Sequence, residues 1–476
     1  MAEISLNDVK YTEQAAELLD KNSDLLKPDK KFGKRHFQVV NICFLVFVAY
    51  YSRNSLSVAI VAMNDRNSTI NPNIPTYDWH NKNVIQSAFF VGYVPSQIIV
   101  SWLISKFGTK WLAVSFFCCC SISGIATPTV VYWFEDMGIM VMRLIQGLCQ
   151  GFVFPSVQHV LSQWVPPNER AGLAGAVYAA RPIATVSSMF ITGYIAGSWY
   201  GWPWIFYISN GIGLLWCLSY VLFSYDNPAS HPSMSAKERR YIDKSLGQEN
   251  VDKDCKIPWK EIATSVPFWA LVVTQTGFSW GFWTQQTQMP MYMKYVMKFD
   301  IESSGTLSAL PYLVQWLLSY FFGFLSDYLL NRKIWCIDTA RKTMNSIGLF
   351  IPAIIFILLQ NSGPDESTKA VVLLVLGIAI NGACFCGFMV NQMDLSPTFA
   401  SILVGISNGP AQITGFLAPL FVQAIVKNET DPEEWKYVFY TAAGIYIVSG
   451  LIFIVFGSGN VQTWDGAKKT TDKRFN

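Results

Sequence analysis

Six stretches of this chain carry no Asp, Glu, Lys or Arg: residues 84–105, 111–134, 266–293, 371–393, 395–426 and 437–464. Each outruns the roughly 20 residues that a helix needs to cross about 30 Å of hydrocarbon. A water-soluble domain does not sustain such runs. Charged residues make up only 14% of the chain, against about 25% in soluble domains. Backbone groups in lipid must pair within their own segment, so the runs are read as helices. The chain is therefore an all-α polytopic membrane protein. Its net charge of +3 says little about partners, because the position of the positive residues carries the information.

Hydropathy predicts twelve spans, at about 38–62, 84–104, 110–133, 137–160, 171–195, 203–223, 266–290, 304–326, 340–360, 370–390, 399–425 and 436–456. The resulting organisation is a tail (1–37), a six-helix bundle (38–223), a central polar loop (224–262), a second six-helix bundle (263–456) and a C-terminal tail (457–476). The first tail has no apolar core of a cleavable signal peptide. It holds two dileucines, Leu18-Leu19 and Leu25-Leu26, without the acid four residues upstream that a sorting signal prefers. In the central loop, SAKERR (235–240) reads as a short charged surface helix.

Lys and Arg fix the orientation. With the N-terminus inside, 25 of the 35 fall in cytoplasmic segments, seven outside and three within spans. That bias puts both termini and the central loop in the cytoplasm. The sequons at Asn67 and Asn428 fall on the outside, where glycosylation occurs. Of the ten cysteines, most lie in spans, Cys255 lies in the central loop and none lies outside, so no disulfide framework is expected. The run Cys118–Cys120 points its thiols in different directions along a helix and is read as packing, not as a metal cluster.

Arg53, Arg143 and Arg181 are the three intramembrane cations. No Asp or Glu falls clearly inside any span. A guanidinium at mid-membrane costs about 2.5–3.5 kcal/mol on insertion scales, so it must face a partner or a watery cavity. Positive charge without a fixed counter-charge attracts anions, and the guanidinium fork suits phosphate or carboxylate. The alternatives are that Arg143 snorkels to an interface, and that Arg53 or Arg181 braces helix carbonyls. Gln146 and Gln150 follow Arg143 on one helical face, and Gly147 and Gly151 form a GxxxG on the neighbouring stripe that invites a close helix. His159 is the one histidine in the spanning regions and has no acidic partner there, so no enzyme is expected.

The two halves repeat weakly. GFLSDYLLNRK (323–333) follows the eighth span and matches the G-x-x-x-D-x-x-x-x-R loop of the major facilitator superfamily. SWLISKFGTK (101–110) follows the second, with Ser101 and Ser105 in place of the glycine and aspartate. RNSLSVAIVAM (53–63), RLIQGLCQG (143–151), WVPPNER (164–170) and SILVGISNG (401–409) then resemble the anion:cation symporters of that superfamily. This group includes sodium–phosphate cotransporters, the lysosomal sialic acid transporter and the vesicular glutamate transporters. The resemblance spans residues 53–464. It implies a major facilitator fold of two six-helix bundles rocking about a midplane site, with Arg53 and Arg143 binding the anion.

Departures from the family narrow the expectation. Proton-coupled and glutamate-transporting members carry a carboxylate at the position of Gln150, and the sialic acid transporter carries another at Gln146. Amides do not titrate. Gln86 stands where the glutamate transporters have histidine, and Phe278 where they have arginine. Arg181 is outside the family pattern. Sodium, which takes neutral oxygen ligands, is the expected co-transported ion. Asn381, Ser407, Asn408 and the glutamines at 285, 286 and 288 are candidate ligands or cavity residues. No metal or organic cofactor is expected, and no nucleic-acid partner; the partners are a small anion, sodium or a proton, and lipid. The expected function is sodium-coupled symport of inorganic phosphate, in the plasma membrane. Proton-coupled or facilitated transport of organic carboxylates is the first alternative and a transport-dead anion sensor the second.

Overall fold

The computed structural model describes residues 32–249, 257–359, 367–396 and 399–465. Among these residues the regular structure is entirely helical. The N-terminal bundle comprises α1 (Lys34–Met63), α2 (Lys82–Phe107), α3 (Lys110–Gln150), α4 (Val153–Trp164), α5 (Pro167–Gly197) and α6 (Gly201–Phe223). The central loop contributes α7 (Ala236–Glu249) and α8 (Trp259–Ala263). The C-terminal bundle comprises α9 (Val266–Met291), α10 (Ile301–Asn331), α11 (Ile337–Leu359), α12 (Ser367–Ile380), α13 (Phe388–Leu395), α14 (Ala400–Ile425) and α15 (Pro432–Phe456). Seven helical stretches among the described residues are long and apolar enough to cross a membrane.

Two passages depart from single straight helices. An unbroken helix over Lys110–Gln150 would run about 60 Å, twice the hydrocarbon thickness. It breaks at Glu135, which takes φ 48° and ψ −129°. A Cβ on Gly138 would lie 2.9 Å from the Val130 carbonyl, so the chain reverses at this point. The expected loop between the third and fourth spans is thus a one-residue break. The tenth passage is also broken: α12 gives way to a 3-10 turn, Asn381–Cys386, before α13 resumes beyond Gly387. Such turns inside a helix free backbone groups and mark hinges.

Small residues set how closely the helices approach. A Cβ on Gly147 would sit 1.9 Å from the Phe89 carbonyl, and one on Gly151 would sit 1.9 Å from Ser96 Oγ. The GxxxG of the fourth passage therefore meets the backbone of α2, as small-residue stripes do in lipid. Between the bundles, α5 packs on α10, α2 on α14, and α1 on α9. The apolar core is continuous across both bundles around residues 56–63, 85–93 and 289–301. The cytoplasmic half of the N-terminal bundle has a separate core, built on residues 39–51, 149–165 and 216–220. The bundles thus share their interior on the outer side.

The central-loop helix is not a free surface helix. Arg35, 1% exposed, pairs with Glu169 at 2.8 Å and with Glu238 of α7 at 3.2 Å. Glu238 also accepts the main-chain N–H groups of Lys34 and Arg35, an anion at the positive end of α1. These contacts bolt α7 to the N-terminal bundle. Nine cysteines are free among the described residues. Cys255 and both dileucines lie outside the described residues. Asn67 and Asn428 are exposed.

Candidate functional site

Arg143 comes from the second arm of α3, whose glycine stripe presses it against α2. Its side chain is 4% exposed. Nη1 donates to Gln146 Oε1 at 3.0 Å, one turn on, and Nη2 donates to the main-chain carbonyl of Arg53 at 3.2 Å. Nε has no hydrogen-bond partner. The guanidinium lies 5.0 Å from the Phe89 ring centroid. It does not snorkel: it is buried between α1, α2 and its own helix.

Arg53 sits within the continuous helix α1, 5% exposed. Its guanidinium carbon lies 4.5 Å from the centroid of Phe89, 4.6 Å from Phe90, 4.7 Å from Tyr93 and 4.5 Å from Trp283. Rings attract a cation by their quadrupoles, but they accept no strong hydrogen bond. Nε and Nη2 remain unpartnered. A buried donor without a partner is costly, so Arg53 and Arg143, whose guanidiniums both lie against the Phe89 ring, leave three nitrogens in need of acceptors. A tetrahedral or planar oxyanion supplies the missing acceptors. Among the described residues no ion pair to either arginine is present.

Arg181 is half-buried on α5. Its guanidinium lies 5.5 Å from Tyr50 and 5.3 Å from Phe282, so it reaches across from one bundle to a ring of the other. It shares Tyr50 with Arg53. Arg53 and Arg181 therefore meet the other bundle through Trp283 and Phe282, while Arg143 lies within the N-terminal bundle behind Phe89.

The amides divide into satisfied and unsatisfied groups. Gln146 Nε2 reaches Thr127 Oγ1 at 3.5 Å, and Gln150 Nε2 reaches Cys120 Sγ at the same distance. Asn381 donates to the Gly348 carbonyl at 2.7 Å inside the break of the tenth passage. Ser407 accepts from Gln392 at 3.0 Å, and Asn408 accepts from Gln412 at 3.3 Å. The first two bonds join separate helical segments, and the third lies within α14. Gln86 and Gln286, by contrast, are buried with both amide atoms unpartnered. Nothing in the sequence sets Phe89, Phe90 or Tyr93 apart as walls around Arg53, because Phe, Tyr and Trp are so frequent here. Phe278, at the position that the resemblance gives to an arginine in the glutamate transporters, packs against the rings of Phe282, Phe385 and Phe388. No group of three or more metal-ligating side chains occurs among the described residues.

Two rocking-compatible helical bundles that bury Arg53 and Arg143 without an acidic partner define a secondary transporter of the major facilitator type. The family model described as Major Facilitator Superfamily matches residues 42–419. A protein of Drosophila melanogaster named "Putative inorganic phosphate cotransporter" is 33% identical, covering 94% of this chain and 89% of that protein. Sialin of Homo sapiens is 32% identical, covering 88% of each. In structure, the chain resembles a bacterial homologue of the human lysosomal transporter Spinster, crystallised inward-facing and unoccupied, with a TM-score of 0.67, 13% identity, and coverage of 89% and 96%. The chain belongs to the major facilitator superfamily and, within it, to the anion:cation symporter group. It is a multi-pass membrane transporter of small or organic anions.

Proposed function

We propose that the protein is a sodium-coupled symporter of inorganic phosphate, working by alternating access around Arg53 and Arg143. The observation that carries this reading is that two buried guanidiniums without an ion pair, both lying against the Phe89 ring, leave three nitrogens without an acceptor. A small oxyanion with acceptors on every face fits such donors best. The name of the Drosophila relative supports phosphate. Sodium is favoured over a proton because the fourth passage offers Gln146 and Gln150, which do not titrate. Its ligands are drawn from neutral oxygens; Gln285, Gln288, Asn381, Ser407 and Asn408 are candidates. The plasma membrane is the proposed location, and Asn67 and Asn428 the proposed glycosylation sites.

A second reading is an organic carboxylate, driven by protons or moving down its gradient. The neutral, unpartnered Gln86, Gln286 and Tyr312 would then hold the uncharged body of the substrate. Competition separates the two. Labelled phosphate uptake in sodium should be blocked by excess phosphate or arsenate and not by excess glucuronate, sialic acid or glutamate. Block by the carboxylates, with no phosphate uptake, establishes the second reading instead. A protein that binds phosphate without moving it would be a sensor.

A further inference from the structure

The polar contacts between the bundles among the described residues gather at the outer rim. Asp65, at the end of α1, pairs with Lys294 at 2.6 Å, just beyond α9. Lys82, opening α2, pairs with Glu429, which follows α14, and its ammonium lies 4.7 Å over the Tyr295 ring. Behind the ion pairs, Gln288 donates to Asn83 at 2.8 Å and Gln423 to the His80 carbonyl at 2.5 Å. Helices α2 and α9 run antiparallel, so their contacts descend in register. Asn83 meets Gln288 near the rim, and Phe90 meets Trp283 two turns deeper, edge to face with centroids 4.9 Å apart. Gln86 and Gln286 lie between these levels with their amides unpartnered. Phe90 and Trp283 each stand within 4.6 Å of the Arg53 guanidinium, one ring from each bundle. Gly415 of α14 makes room for Phe90, since a Cβ there would lie 2.2 Å from the ring.

We propose that the α2–α9 seam is the outer gate of the anion site. In this gate the Phe90–Trp283 pair lids Arg53, and the Asp65–Lys294 and Lys82–Glu429 pairs latch the lid shut. The passage from outside then runs past Gln86 and Gln286, whose unpartnered amides are groups that open water or a passing anion satisfies. Opening separates Lys82 and Lys294 from their acids and frees two ammonium groups at the mouth as donors that an entering anion contacts directly. Asp65 and Lys82 flank the α1–α2 connection of one bundle, while Lys294 and Glu429 follow α9 and α14 of the other, so both pairs of the latch sense bundle separation. The assignment of Arg53 to the transported anion rests on the reading above; the latch itself does not.

Accessibility tests it without any substrate. A single cysteine is introduced by Gln286→Cys, and its labelling by a membrane-impermeant methanethiosulfonate is followed in sealed vesicles with the outer face exposed. Protein lacking that cysteine gives the baseline. With the latch intact the thiol should label slowly. Asp65→Ala, Lys294→Ala or Glu429→Ala should speed labelling about tenfold or more, a modest population shift. The swap Asp65→Lys with Lys294→Asp should restore slow labelling, which separates a latch from mere unfolding. Gln86→Cys, on the facing helix, is the second reporter and should behave alike. Rapid labelling with the latch intact, or equal rates in all variants, overturns the proposal. If the latch pattern holds while phosphate uptake fails, the substrate assignment falls and the gate stands.

Discussion

Arg143 Nη2 donates to the main-chain carbonyl of Arg53 at 3.2 Å, so one cavity cation is anchored to the backbone that carries the other. A helix carbonyl is normally taken by the N–H four residues on; this one accepts a guanidinium as well. The bond fixes Arg143 between α1 and α2 and leaves Nε, with Nε and Nη2 of Arg53, open. Positioning and binding are therefore divided among the nitrogens of a single side chain. The planar fork does both, and an ammonium does not.

Arg143→Lys is accordingly expected to behave almost as badly as Arg143→Ala. Truncating a buried, hydrogen-bonded charge costs about 2–5 kcal/mol, so anion uptake should fall at least thirtyfold in both variants while surface expression persists. Initial rates normalised to surface protein check this. Near-normal uptake by the lysine variant would show that charge alone suffices.

Gln150→Glu installs a titrating group two turns from Arg143 on the same helical face, where this chain has only amides. Gln150 is buried against Cys120. Uptake by the variant should gain a pH dependence that the parent lacks between about pH 5 and 8. Uptake at fixed sodium across that range reports it. A flat profile in the variant contradicts the link between this position and coupling.

Gly147→Ala should destabilise the protein by about 1–3 kcal/mol through overpacking. The added Cβ would meet the Phe89 carbonyl at 1.9 Å, and a backbone atom does not move aside as a flexible side chain does. The thermal midpoint in detergent is the measurement. Gly175→Ala, where the added carbon meets no neighbouring element within 4 Å, should leave the midpoint unchanged or raise it slightly, since alanine favours a helix interior over glycine.

Acid should release the central-loop helix. Burial favours the neutral form of Glu169, but the hydrogen bond and charge of Arg35 outweigh it and hold the carboxyl below the usual carboxylate range. A depressed carboxyl contributes stability that is complete above its unfolded value, near pH 4.5, and is lost as pH falls through the lower folded value. Protease cleavage after Lys244 should therefore stay slow at neutral pH and accelerate as the pH drops below about 4.5, with an acid-tolerant protease. Glu169→Gln should be cleaved faster even at neutral pH.

Much of this architecture was legible because lipid imposes simple rules. Charge-free length marked the spans, the Lys and Arg bias oriented them, and the Gly147–Gly151 stripe announced the approach of α2. Arg143 stood out because nothing near it in sequence neutralises it. The breaks were less legible: Glu135 turns the chain in one residue, and the Asn381–Cys386 turn carries no proline to announce it. The bolting of α7 depends on Arg35 and Glu238, some 200 residues apart in the chain, a pairing that local pattern does not encode. The enclosure of Arg53 draws Phe90 and Trp283 from different bundles, and only packing selects those two from among so many aromatic residues.

The most direct test of the central claim is uptake of labelled phosphate by proteoliposomes under an imposed inward sodium gradient, with Arg143→Ala protein in parallel. The account predicts sodium-stimulated accumulation by the unaltered protein and background levels in the variant. Equal accumulation by both, or none by either while an organic anion is carried, would contradict it.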